Sequence, residues 1–249
     1  MANSEDIIFG RGPVTEALRA GHAIDKLIVK SGQQGGSLSS ILKTAKERGI
    51  VVQRAEASRL DRLAGGGNHQ GVVAMVSAHE YSTVADILKR AEDAGHPPFV
   101  VLCDRITDPH NLGAIIRTAN CIGADGVIIP KNRSAAVNSV VMKTSVGAAE
   151  YTPVAKVTNI AQTIDELKEA GLWITAADMD GEPMYDIDFN GAVGLVIGSE
   201  GSGVSRLVRE KCDYIASIPM RGDINSLNAS VAAGVLMYEA LRQRGGYGK

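Results

Sequence analysis

Aromatic residues are scarce in this 249-residue chain: three Phe, one Trp and six Tyr, 4% in all. The core must therefore be built mainly from Val, Ile, Leu and Ala. Cysteine is rare as well. Cys103, Cys121 and Cys212 form no close pair, which excludes a disulfide framework and the spacing of zinc ligands. Cys103 and Cys121 stand in apolar runs and read as small core residues. The five histidines are scattered with no pair at ligand spacing, so no metal is expected. The chain has no apolar run of the roughly 18 residues that a membrane span needs. Its opening Met1-Ala2-Asn3-Ser4-Glu5-Asp6 lacks the basic-then-apolar pattern of a signal peptide. A reduced, cytoplasmic protein that meets no membrane fits these absences.

Charge of one sign is missing too. The net charge is −2 and the pI about 6.2, which does not advertise a nucleic-acid binder. Residues 1–80 hold ten Lys or Arg against eight Asp or Glu, and the remainder 16 against 20. Arg54, Arg59 and Arg62 could make a basic patch, but a solvated helix face accounts for them equally well.

What is present is an alternation of strands and helices in two blocks. In residues 1–80, helices are expected over 13–20 and 37–48, each with glycine as its stop, and strands over 27–29, 51–53 and 71–76. That pattern predicts a small α/β unit with a parallel or mixed sheet. Residues 81–97 are polar, close on Gly95-His96-Pro97-Pro98, and read as a linker despite one short helical stretch over 84–92. Residues 98–249 then carry strand candidates over 99–104, 126–129, 152–155, 172–177, 193–198 and 214–219. Several are continuous apolar runs, as expected where helices cover both faces of a parallel sheet. The last helix, over 231–244, carries Val231, Val235, Leu236, Tyr238 and Leu241 and is apolar around much of its circumference. Such a helix needs a partner surface, in its own domain or on a second subunit.

Three polar or glycine-rich turns follow three of these strands: Asn111-Leu112-Gly113, Gly198-Ser199-Glu200-Gly201-Ser202-Gly203, and Asn225-Ser226-Leu227-Asn228-Ala229-Ser230. Each alone could be a helix N-cap. Together, at the carboxyl ends of one sheet, they imply a ligand crevice. The second turn has neither the Gly-x-Gly-x-x-Gly spacing of a dinucleotide site nor the Lys-Ser/Thr of a P-loop. Glu200 in its middle would repel a phosphate but suits a cation, which argues against ATP or NAD and is compatible with a sulfonium.

The stretches Asp108-Pro109-His110-Asn111-Leu112-Gly113 with Arg117-Thr118-Ala119, Ile197-Gly198-Ser199-Glu200-Gly201-Ser202-Gly203, and Ile218-Pro219-Met220 with Ser226-Leu227-Asn228 resemble, in order and spacing, the three motifs of the SpoU/TrmH branch of the knotted (SPOUT) RNA methyltransferases. Phe9-Gly10-Arg11-Gly12-Pro13 and Asn68-His69-Gln70-Gly71-Val72 resemble the substrate domain of the 23S rRNA guanosine 2′-O-methyltransferase subgroup. The resemblance implies an α/β-knot methyltransferase domain over 98–249, an RNA-binding domain over 1–80, S-adenosylmethionine (AdoMet) as cofactor, RNA as partner and a homodimer. It points to Arg117, Asn111, Glu200, Ser226 and Asn228 as the catalytic group. The cofactor would be held at Thr175, Ala176, Gly198, Ile218, Met220 and Leu227. The expected activity is ribose 2′-O-methylation of a guanosine in 23S rRNA. A transfer-RNA ribose methyltransferase and a non-catalytic RNA-binding protein are the alternatives.

Overall fold

The computed structural model describes residues 7–33, 35–77, 79–224 and 226–245. Two compact units divide it: residues 1–80 with 136–139, and residues 81–135 with 140–249.

In the first unit the strands β1 (Ile7–Phe9), β2 (Ile24–Lys30), β3 (Val51–Ala55) and β4 (Val72–Val76) form a mixed sheet in the order β1-β4-β2-β3. β2 and β3 are parallel, and β4 runs antiparallel to β1 and β2. Alternation along β2 and β4 sends Leu27, Val29, Val72 and Ala74 to one face, under α1 (Arg11–Arg19) and α2 (Ser37–Glu47). Ile28 and Val73 face the other way, onto Leu60 of α3 (Ala57–Leu63). β1 and α3 were not foreseen, since three and seven residues are too short to show a period.

In the second unit the apolar runs become six parallel strands: β5 (Phe99–Asp104), β6 (Gly126–Pro130), β7 (Val154–Val157), β8 (Trp173–Pro183), β9 (Val193–Gly198) and β10 (Tyr214–Ser217). Their order is β10-β8-β9-β5-β6-β7. β5 and β6 are buried at every residue, because α4 (Val84–Ala94), α5 (Pro109–Cys121), α7 (Ile160–Glu169), α8 (Arg206–Lys211) and α9 (Ala229–Gln243) flank the sheet, while α6 (Ser139–Thr144) comes close to α5 at Gly113. The chain leaves β5 outward to β6 and β7, then returns on the other side through β8 and β9. β5 and β9 are therefore neighbours at which the strand order reverses, the place where open α/β sheets bind ligands.

The linker expected over 81–97 is part of this unit. Thr83 caps α4 in a reciprocal capping box with Asp86, Ile87 packs among Val100, Leu102 and Ile128, and Ala91 is buried as well. Ser82 also bridges to Ala155 beside β7. The polar face of α4 dominated its composition and hid a two-residue anchor.

β8 and β10 pair irregularly. Tyr214 and Ile215 stand opposite Thr175 and Ala176, whereas Ala216 and Ser217 stand opposite Glu182 and Pro183. Residues 177–181 are thus looped out of the ladder. The loop closes tightly at Gly181, where any side chain would collide with the Ile215 carbonyl. No helix among the described residues is long and apolar enough to cross a membrane.

Candidate active site

The reversal of strand order between β5 and β9 dictates which turns meet. After β5, Asp108 caps α5 by accepting the His110 amide at 2.8 Å, and Pro109 supplies the fixed φ of the first helical turn. Asn111 therefore sits in that first turn, 6% exposed. After β9 the chain folds on itself between Ser199 and Gly203, paired by hydrogen bonds of 3.1 and 2.9 Å. A side chain at Gly198 would strike the backbone of Gly203 and Val204, so the turn closes only on glycine. Asn228 caps α9, its Oδ1 accepting the Ser230 amide at 3.0 Å and the Ser230 hydroxyl at 2.6 Å.

Three side chains from these three turns converge. Asn111 donates through Nδ2 to Glu200 Oε1 at 3.1 Å, and its Oδ1 accepts Asn228 Nδ2 at 3.0 Å. Asn228 Nδ2 also donates to Glu200 Oε1 in a short contact. Glu200 does not cap a helix: α8 begins only at Arg206, after Ser205. Its carboxylate instead accepts two amide donors, an arrangement a solvated cap would not need.

Beside this triangle lies a cleft of about 440 Å³, within the range of small-molecule sites. Of the residues singled out in the sequence, Gly198, Glu200, Ile218, Met220, Ser226, Leu227 and Asn228 line it. Thr175 and Ala176 do not. They are 1% and 0% exposed inside the β8 ladder, and the looped-out residues Ala177, Asp178 and Met179 take their place at the wall. Those three were missed, although Gly181 in an otherwise strand-like run was the available signal of a bulge. Ala232 and Leu236 close the far wall from α9, one and two turns beyond the Asn228 cap.

Arg117 contradicts the expectation of a buried site residue: it is exposed and lies outside the cleft lining. Six residues along α5 place it roughly 9 Å from Asn111 along the axis and about 120° away around it. α9 needs a correction as well. Leu236 is fully buried, Val235 and Leu241 are half-buried, and only Val231 and Tyr238, one heptad apart, are mainly exposed. Asn225 lies outside the described residues.

The chemistry of the cleft favours a cation. Asp178 and Glu200 contribute carboxylates, and among the described lining residues none is Lys or Arg. Asp178 is held by Arg209 at 3.4 Å from beyond the lining. Cys103, on β5 beneath the site, is no nucleophile, because complete burial pushes its thiol up to about 12. Cys121, expected in the core, is exposed instead.

Comparison with known proteins fits this geometry. Residues 98–238 match the model of the SpoU rRNA methylase family, and residues 7–82 match that of RNA 2′-O ribose methyltransferase substrate binding. A Bacillus subtilis protein named for the TrmH family tRNA/rRNA methyltransferases is 43% identical over 250 residues, all of either chain. The SpoU methyltransferase AviRb of Streptomyces viridochromogenes, solved with AdoMet, is 29% identical with a TM-score of 0.59, covering 96% of this chain and 90% of its own. A TrmH/SpoU tRNA modifying enzyme of A. aeolicus is 31% identical with a TM-score of 0.55, covering 64% of this chain and 83% of its own.

Proposed function

Since the chain belongs to the SpoU rRNA methylase family and is an RNA methyltransferase of the TrmH/SpoU type, we propose that it moves a methyl group from AdoMet to the ribose 2′-hydroxyl of a guanosine in 23S rRNA. The observation that carries this reading is the meeting of Asn111, Glu200 and Asn228 beside a cleft with two carboxylates and no Lys or Arg among its described lining residues. When bound, AdoMet supplies an electrophilic methyl group on a sulfonium. The protein must hold that group, aim the acceptor oxygen at it and manage the acceptor's proton.

Gly198, Ile218, Met220 and Leu227 line the cleft, where recognition of an adenine edge would fall to their backbone groups with apolar side chains as walls. Asp178 and Glu200 offset positive charge in the same cleft. Asn111 and Asn228 hold Glu200 in one orientation, and Ser226 lines the cleft together with Glu200 and Asn228. Arg117 is assigned to the RNA. Its guanidinium, always protonated, binds the acceptor's phosphate and stabilises the forming alkoxide. From its own α5 it faces away from the cleft, which supports a homodimer in which a second copy brings its Arg117 to this site. Val231 and Tyr238 on α9 give that copy an apolar face to cover. A trefoil knot in the C-terminal segment belongs to the same reading.

The match to a substrate-binding domain over residues 7–82 favours ribosomal over transfer RNA, since the A. aeolicus tRNA enzyme covers only 64% of this chain. Mapping 2′-O-methyl groups in RNA from cells lacking the protein tests the target. Loss of one methylguanosine from 23S rRNA is expected. Loss from a tRNA alone would shift the function to the transfer-RNA alternative.

A further inference from the structure

Two residues at the carboxyl end of β5, Asp104 and Arg105, have no task in the account above. Asp104 is 4% exposed and stands opposite Gly198 in the β5–β9 ladder. Its Oδ2 accepts the backbone amide of Ser205 at 2.6 Å, and its Oδ1 lies 3.6 Å from Arg105 Nε. Arg105 has φ of 60°, a left-handed conformation that side chains other than glycine adopt at a cost. In that conformation its Nη2 donates to the Gly203 carbonyl at 3.4 Å. The two side chains thus grip residues 198–205 at the Gly203 carbonyl and the Ser205 amide. This is the turn that carries Glu200 and lines the cleft. Strain on a non-glycine residue persists only where the surroundings fix it, and in this conformation Arg105 meets the Asp104 carboxylate and the Gly203 carbonyl, its Nε buried beside the carboxylate without a hydrogen bond of its own. The β5–β9 ladder is complete through backbone pairing from Phe99 to Asp104 without either side chain. Their polar atoms serve the turn rather than the sheet.

We propose that Asp104 and Arg105 are a positioning pair that holds the turn over 198–205 in its AdoMet-binding shape. The proposal rests on the AdoMet reading of the cleft. The pair touches no reacting atom, so it acts on cofactor affinity and leaves turnover at saturation nearly intact. A merely structural pair would lower stability and both kinetic constants together.

The test uses the full-length protein, calorimetric titration with AdoMet and steady-state methyl transfer. Arg105→Gly removes the guanidinium while placing the residue type that prefers this φ, so its Tm should equal or exceed the parent's. Its Kd and KM for AdoMet should nonetheless rise about tenfold, the usual worth of a charge-assisted hydrogen bond, with kcat within about threefold. Asp104→Asn should do the same and quicken hydrogen exchange at the Ser205 amide. The double variant should fall short of the sum of the two, as coupled residues do. Parental AdoMet affinity in Arg105→Gly, or a loss of kcat with KM unchanged, would overturn the proposal even if Asp104→Asn failed to fold. A parent protein that takes up no AdoMet would instead overturn the function proposed above, so the two failures are told apart.

Discussion

Asn228 performs two jobs that a pair of substitutions can separate. Its Oδ1 caps α9 through the amides of Ser230 and Val231, and its Nδ2 donates to Asn111 and Glu200. Asn228→Ala loses both. The missing cap costs about 1 kcal/mol, which lowers Tm by roughly 2–4 °C in a unit of this size. Asn228→Asp keeps the cap, since Asp ranks with Asn there and its charge suits a helix N-terminus. It also loses the donor and sets a second carboxylate against Glu200. A hydrogen bond to a charged group contributes about 1.5–3 kcal/mol when buried, and solvent at these exposed side chains reduces that to about 1.4 kcal/mol, or tenfold. Repulsion at about 4 Å in a watery setting adds about 1 kcal/mol more. The Ala variant should therefore lose about tenfold in kcat/KM and the Asp variant about fifty- to a hundredfold, while Tm falls by a similar amount in both, since the lost cap of one and the added repulsion of the other each cost about 1 kcal/mol. Calorimetry and steady-state methyl transfer read both quantities. If the two variants, equal in Tm, are also equal in activity, or if the Asp variant works like the parent, the Asn111–Glu200–Asn228 triangle does not orient the site.

Arg117→Ala should reduce kcat by a hundredfold or more with Tm and AdoMet affinity unchanged, because the side chain is exposed and outside the cleft; normal turnover would remove it from the mechanism. A chain beginning at residue 81 should fold and bind AdoMet, whereas one beginning at Pro98 loses Ile87 and Ala91 from the core. Deletion of that Ile side chain alone costs about 2–5 kcal/mol, so equal Tm values for the two truncations would contradict the packing of α4. Of the three thiols, Cys121 should label rapidly at pH 8 in the folded protein. Cys103 and Cys212, both pushed up to about 12 mainly by burial, should not label before unfolding; mass spectrometry of the labelled peptides checks this.

The large strands were legible because β5, β6 and β9 are unbroken apolar runs, and the crevice because its polar turns follow strands in a fixed order. Glu200 and Asn228 were singled out by the family resemblance, since an acid amid glycines or an amide before an apolar helix could each be no more than a helix cap. What failed depended on phase or on distant partners. Arg117 lies in an apolar helix, but only the rotational phase of α5, fixed by the Asp108 cap, sends it outward. Thr175 and Ala176 missed the cleft because five residues leave the β8 ladder just beyond them, and only the partner strand β10 reveals that shift. Leu236 looked available to a second subunit, yet it turns fully inward as part of the cleft wall. α4 shows the same limit, as two buried residues in eleven left too little apolar signal to tell a docked helix from a solvated one.

Methylation of a ribose in ribosomal RNA at the Asn111–Glu200–Asn228 cleft is the activity proposed for this chain. Incubating the full-length protein with methyl-labelled AdoMet and unmodified 23S rRNA, then digesting the RNA to nucleosides, tests it directly. The account predicts label in 2′-O-methylguanosine from a single site, abolished by Arg117→Ala. Label on a base, label in tRNA only, or no transfer at all would contradict it.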